Sequence, residues 1–241
     1  MDTKRENTES TSAQADASGT LEGDVTINGS GRMPNDIECA NLKINGAGQC
    51  DGNVRARRII VNGGGTFGKK VRAEEMSVNG DASVAEGAGI GALKVKGRMS
   101  VGGGLAVHEA DVRGDIKVGG DIEADSLTGE GAFNVDGLMN VGTLDIRVWG
   151  TSRASEIGGE TIRVAGARGL GEALRSLFGE KRLVADSLEG DEVSLEYTTA
   201  KVVRGDRVTI GTGCNVELVE YTGTYDRVAD SLVGEARKAE A

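Results

Sequence analysis

Aromatic residues make up only 3% of this 241-residue chain, and it contains one proline, one histidine and three cysteines. Globular cores lean on Phe, Tyr and Trp for buried area, so a chain this poor in them points to a narrow interior filled by Val, Ile, Leu and Met. Cys39, Cys50 and Cys214 lack the paired spacing of a metal site or a disulfide framework, and are read as small apolar core residues in a reducing compartment. No apolar run reaches membrane-spanning length, and Met1 to Asn7 holds no apolar signal segment, so a cytoplasmic protein is expected. Basic residues are outnumbered 28 to 38, giving a formal net charge of −10. That disfavours nucleic acid as a partner, because phosphate binding needs a basic face.

What the chain has in abundance is glycine, 39 residues of it, set on a beat. Gly29, Gly46, Gly63, Gly80, Gly97, Gly114 and Gly131 recur every 17 residues, preceded by the apolar column Ile27, Ile44, Val61, Val78, Val95 and Val112. Within one repeat the apolar residues fall in three pairs spaced by two, as in Leu93 and Val95, Met99 and Val101, Leu105 and Val107. Spacing by two is the strand period. A unit of three short strands cannot close a core alone, but stacked copies bury a continuous one, so the repeat predicts a parallel β-helix with one repeat per rung. Three columns support that register: Leu42, Ile59, Met76, Leu93, Ala110, Leu127 and Leu144; Cys50, Phe67, Val84, Val101, Val118 and Val135; Ile37, Val54, Val71, Ala88, Leu105, Ile122 and Met139.

The glycine column is expected to serve corners, often with φ above zero. Asn28, Asn45, Asn62 and Asn79 precede four of its members and are placed to hydrogen-bond from rung to rung, a ladder that ends where Lys96 replaces asparagine. Pro34 falls on the first rung, where no earlier rung needs its missing N–H.

Residues 1–19 are polar and read as a disordered tail. The β-helix is expected over 20–164, its first seven repeats forming a rod on the order of 33 Å long. Ile162 and Val164 resume the beat one residue late, with Trp149 in the transition. Residues 165–183 lose the strand period, and Leu170, Leu174, Leu177 and Phe178 follow helical spacing, so a short helical insertion is expected near 168–180. It either packs on the rod or touches a membrane surface or partner. The beat returns over 184–223, with Val193 and Ile210, Tyr197 and Cys214, Thr199 and Val216, and Val202 and Val219 each 17 apart. For 224–241 two readings stand: a capping helix along Tyr225, Val228, Ala229, Leu232 and Ala236, or a further strand, since Val-Ala-Asp-Ser-Leu at 228–232 repeats 184–188.

The Gly-Asp-Val-x-Ile-Asn-Gly opening at 23–29, the Gly-Asp-Ile pattern at 114–116 and 120–122, and the rung period together resemble the bactofilins, polymer-forming cytoskeletal proteins of bacteria. The resemblance covers about 19–221. It implies a right-handed, three-sided β-helix that assembles end to end, without nucleotide, into non-polar filaments. Family members act as scaffolds in cell shape, envelope organisation or motility, sometimes at the inner face of the membrane.

Physical reasoning points the same way. End rungs expose unpaired strand edges, a template for another copy. Val25, Ile27, Met33 and Ile37 at one end and Val216, Val219 and Tyr221 at the other are the expected polymer interface. No catalytic, metal or cofactor site is expected. A β-helical carbohydrate-active enzyme would need carboxylates clustered over loop-built grooves, whereas Asp115 and Asp121 read as turn residues. A hexapeptide-type acyltransferase would need an 18-residue coil and a catalytic histidine, whereas His108 follows inward Val107 and reads as an exposed corner.

Overall fold

A computed structural model describes residues 14–15, 21–166 and 182–240. Among them there is no helix, and the chain winds into a parallel β-solenoid of about 12 turns. The expected helical insertion near 168–180 lies outside the described residues, as does most of the 1–19 tail. Within that tail, Gln14–Ala15 pairs antiparallel with Leu21–Glu22.

Each regular turn carries one strand of eight residues and one of four, as in Ile37–Ile44 and Ala47–Cys50. The longer strand buries Ile37, Cys39, Leu42 and Ile44, with two successive half-buried residues, Ala40 and Asn41, between the pairs. The shorter buries Gly48 and Cys50. Buried positions therefore come in three pairs per turn, the pattern of the sequence. Each column stacks in register over the next: Leu42 on Ile59, Met76, Leu93, Ala110 and Leu127. Cys50 lies on Phe67, which is completely buried. Burying a side chain of that size contributes about 2–3 kcal/mol.

The glycine beat has a different cause from the one expected. Of the column, only Gly29 has a positive φ, at 82°. At Gly46, Gly63, Gly80, Gly97, Gly114 and Gly131 a Cβ would instead land on the carbonyl oxygen of the glycine one turn below. That carbonyl is engaged, accepting from the neighbouring turn as in Asp81 N to Gly63 O at 2.9 Å. The beat is a close-approach column, and strand spacing leaves no room for a methyl.

Asparagine forms the expected ladder. Asn45 Nδ2 donates to Asn28 Oδ1 at 2.8 Å, Asn62 to Asn45 at 2.8 Å and Asn79 to Asn62 at 2.9 Å.

Past Val135 the turns change length at identifiable corners. From Ile146 to Ser152 the corner is two residues wider than from Gly129 to Phe133, and Trp149 and Gly150 occupy the excess. The following corner, Ala154 to Ile157, is one residue shorter than Val135 to Met139. The net result is the one-residue lag, with Ile146 on Val164.

The 17-residue spacing expected over 184–223 is corrected. Val193 pairs with Val208, fifteen residues on, because Leu195 to Thr198 and Ala200 to Val203 each use one residue fewer than the regular corners. Tyr197, at φ 48°, makes the tighter bend. Thr199 consequently pairs with Asn215 and Val202 with Leu218, so Val203, one residue along, lies under Val219.

The capping-helix reading of 224–241 is also corrected. Leu232–Lys238 is a strand, paired in parallel with Asn215–Tyr221. An open ladder lies beneath it and satisfies its backbone, through Leu232 N to Cys214 O at 2.9 Å and Ala239 N to Tyr221 O at 2.8 Å. A helix there would leave that edge bare. The repeated words also differ in shape: 184–188 run through a strand, whereas Ala229 and Asp230 turn the chain into the last strand.

Candidate self-assembly surfaces

At the N-terminal end, Asp24–Ile27 pairs on one side with Asn41–Ile44, and Ser30–Met33 with Ala47–Cys50. Neither strand has a ladder partner on its other side among the described residues. Val25, Ile27 and Ile37 line the interior, while Met33 is half-buried against it. The four expected contact residues are thus gathered at one end, but three of them point into the tube. What faces outward along the axis is the strand edge itself.

At the C-terminal end the expected residues are placed one turn too deep. Val216 and Val219 are buried beneath Val233 and Ala236 of the last strand, and Tyr221 pairs with Lys238. The terminal edge is Leu232–Lys238, where Leu232 is 67% exposed. Below it Tyr221 and Tyr225 stack, with ring centroids 5.4 Å apart and planes at 25°, and they pack with Val233 against the core. The sequence left this strand as one of two readings because Val228, Ala229, Leu232 and Ala236 also fit a helical stripe. The signal for it was the repeated Val-Ala-Asp-Ser-Leu.

Glu220 joins the last three turns. It accepts from Arg204 Nε at 2.7 Å and from Arg237, and these two guanidinium groups, Arg237 first, hold its carboxyl below the usual carboxylate range. Leu170, Leu174, Leu177 and Phe178, the expected membrane or partner contact, lie outside the described residues.

The titratable groups that the sequence singles out are placed as follows. His108 Nδ1 sits 3.0 Å from Asp125 Oδ2 with both side chains open to solvent. Asp121 Oδ1 accepts from the backbone of Leu138 at 2.8 Å, and Asp115 lies 4.0 Å from Arg98. Burial pushes the Cys50 thiol up to about 12 and the Cys39 and Cys214 thiols to about 11. All three are therefore protonated, apolar fillers rather than nucleophiles. Among the described residues no cluster of three or more His, Cys, Asp or Glu is placed to hold a metal. Among the described residues no helix is long and apolar enough to cross a membrane.

No family model matches the chain, and no solved structure matches it. Two proteins of Bacillus subtilis (strain 168) are similar over part of it. The uncharacterized protein YhbE is 40% identical over 92 residues, which is 38% of this chain and 38% of YhbE. The uncharacterized protein YhbF is 42% identical over 88 residues, 35% of this chain and 34% of YhbF. The chain thus matches just over a third of the length of these relatives.

Proposed function

We propose that this chain is a bactofilin-like structural protein, a three-sided, right-handed rod that stacks end to end without nucleotide into filaments. Such filaments serve as a scaffold for cell shape, envelope organisation or motility, in the cytoplasm or at the inner face of the membrane. The observation that carries the reading is the pair of open ends. Ser30–Met33 at one end and Leu232–Lys238 at the other each present a ladder edge over a continuous apolar core. Water-exposed strand edges recruit further strands unless something blocks them. Stacking a second rod on either edge extends the same ladder and closes the core over a further turn.

The three pairs of buried positions per turn support a three-sided cross-section. Short corners and fully protonated cysteines support a structural role rather than a catalytic one. Negative-stain imaging of nucleotide-free protein tests the reading: filaments one rod wide are expected, and uniform single rods at every concentration refute it.

A further inference from the structure

One face of the rod has its charge sorted along its length. Alternate residues of a strand share a face, so the position of Glu38 is occupied on successive turns by Arg55, Arg72, Gly89, Ala106 and Glu123. The flanking outward positions follow the same order. Arg57, Lys69 and Lys70 are exposed around Arg55 and Arg72, and Arg55, Arg57, Lys70 and Arg72 form no ion pair among the described residues. Asp36, Glu38, Glu74 and Glu86 are the acids adjoining them.

Next come two turns that are almost bare. Gly87, Gly89, Gly91, Gly104 and Ala106 carry no more than a methyl, and Gly89, Gly91, Ala106 and His108 line a shallow groove of about 900 Å³ that continues to Glu123 and Asp125. Beyond the bare turns the sign reverses. Asp121, Glu123 and Asp125 are exposed on one turn; the next presents the uncharged Leu138 and Asn140, and Glu156 with Glu160, then Glu189 with Asp191, follow on the turns after it. Only further on do Arg204 and Arg237 supply counter-charges, to Glu189 and Glu220.

We infer that this face pairs with the same face of a second copy running antiparallel. The two-fold axis then crosses the bare turns and sets the cationic turns of Arg55 and Arg72 against Asp121, Glu123 and Asp125 of the second copy. A two-fold interface must be self-complementary, and only the antiparallel arrangement is. Side-by-side parallel copies would superpose like charges, which costs affinity. The bare turns matter because charge is screened over about 8 Å at physiological salt. Without side chains in the way the two sheets approach closely enough for the opposed blocks to meet within that distance. The distance along the rod fits as well: Arg72 and Glu123 are three turns apart, on the order of 14 Å, with the bare strip between them.

The competing occupant of a cationic block is an anionic lipid surface. It fits less well, because a rod lying on that face would press Asp121, Glu123 and Asp125 against the same negative surface. The pairing does not depend on end-to-end stacking and fails separately from it.

Two experiments on the full chain test it. In the first, Ala106→Cys is treated with a short bis-maleimide, beside Thr66→Cys, which is exposed on another face. Covalent dimer is expected from Ala106→Cys alone. In the second, Arg55→Glu/Arg57→Glu/Arg72→Glu is expected to weaken dimerisation roughly tenfold or more, and so is Glu123→Lys/Asp125→Lys. An equimolar mixture of the two should restore it, since every opposed block is again of opposite sign. All five sites are exposed, and circular dichroism confirms folding. Filaments without the Ala106→Cys cross-link overturn the pairing and leave the end-to-end reading standing. Equal cross-linking in the triple-Glu variant, or no rescue on mixing, overturns the electrostatic account. Binding of wild type but not of the triple-Glu variant to phosphatidylserine vesicles, with no cross-link, assigns the block to lipid instead.

Discussion

Replacing Gly80 by alanine puts a methyl on the carbonyl oxygen of Gly63. Nothing soft is available to yield, since the atom struck is backbone. It is held between turns by Asp81 N at 2.9 Å, while Gly80 O accepts from Arg98 N at 2.9 Å. Relieving the clash means parting two turns locally and weakening both bonds, each worth about 0.5–1.5 kcal/mol net. Overpacking a dense interior adds about 1–3 kcal/mol. The expected destabilisation is therefore about 2–4 kcal/mol. Gly64→Ala is the matched control, because a Cβ there meets nothing within 4 Å and the backbone needs no positive φ. It should be neutral or stabilising by about 0.4–1 kcal/mol through the unfolded chain. Urea denaturation of the two variants decides the matter. Equal midpoints would refute the close-approach account and return the glycine beat to corner flexibility alone.

Other consequences are open to simple tests. Asn62→Ala removes the middle of the amide ladder, so both the donor of Asn79 and the acceptor of Asn45 lose their partner; since the site is exposed, a loss of about 1 kcal/mol is expected in urea melts. Asp36, Asp51, Glu75 and Glu220 all have carboxyls held below their usual range by partners in the fold. A depressed pKa stabilises the fold above the unfolded-state value, about 4, and that stability is lost as pH falls through the folded-state value. Thermal midpoints should thus be flat above about pH 5 and drop below pH 4, with a shallower acid slope in Glu220→Gln. The three thiols, raised to about 11 or 12 by burial, should resist iodoacetamide at pH 8 in the native rod and react fully in urea.

The regular half of the rod was legible because its period and its geometry are one fact. Where every turn has 17 residues, the columns of Leu42, Cys50 and Ile37 can be read straight down the sequence. Legibility ended where corners changed length, since a corner that drops a residue leaves no local mark. Leu195 to Thr198 and Ala200 to Val203 each lose one, and the true partner of Val193 became Val208 rather than Ile210. The last strand was left undecided for another reason. Its residues suit either period, and only the bare ladder of Asn215–Tyr221 beneath it decides for strand. Spacing also located the glycines correctly while leaving their cause open, because a φ-driven corner and a backbone close approach select the same residue. The residues of the N-terminal contact set lie together at one end. Its C-terminal counterpart was set one turn too deep, on Val216 and Val219, for want of that final strand.

Self-stacking is the central claim, and sedimentation velocity of the purified chain in nucleotide-free buffer tests it most directly. Stacking through open edges predicts that the sedimentation coefficient climbs with protein concentration and does not change when nucleotide is added. A single boundary at the coefficient of one 24.9 kDa rod, constant over a hundredfold range of concentration, would contradict it.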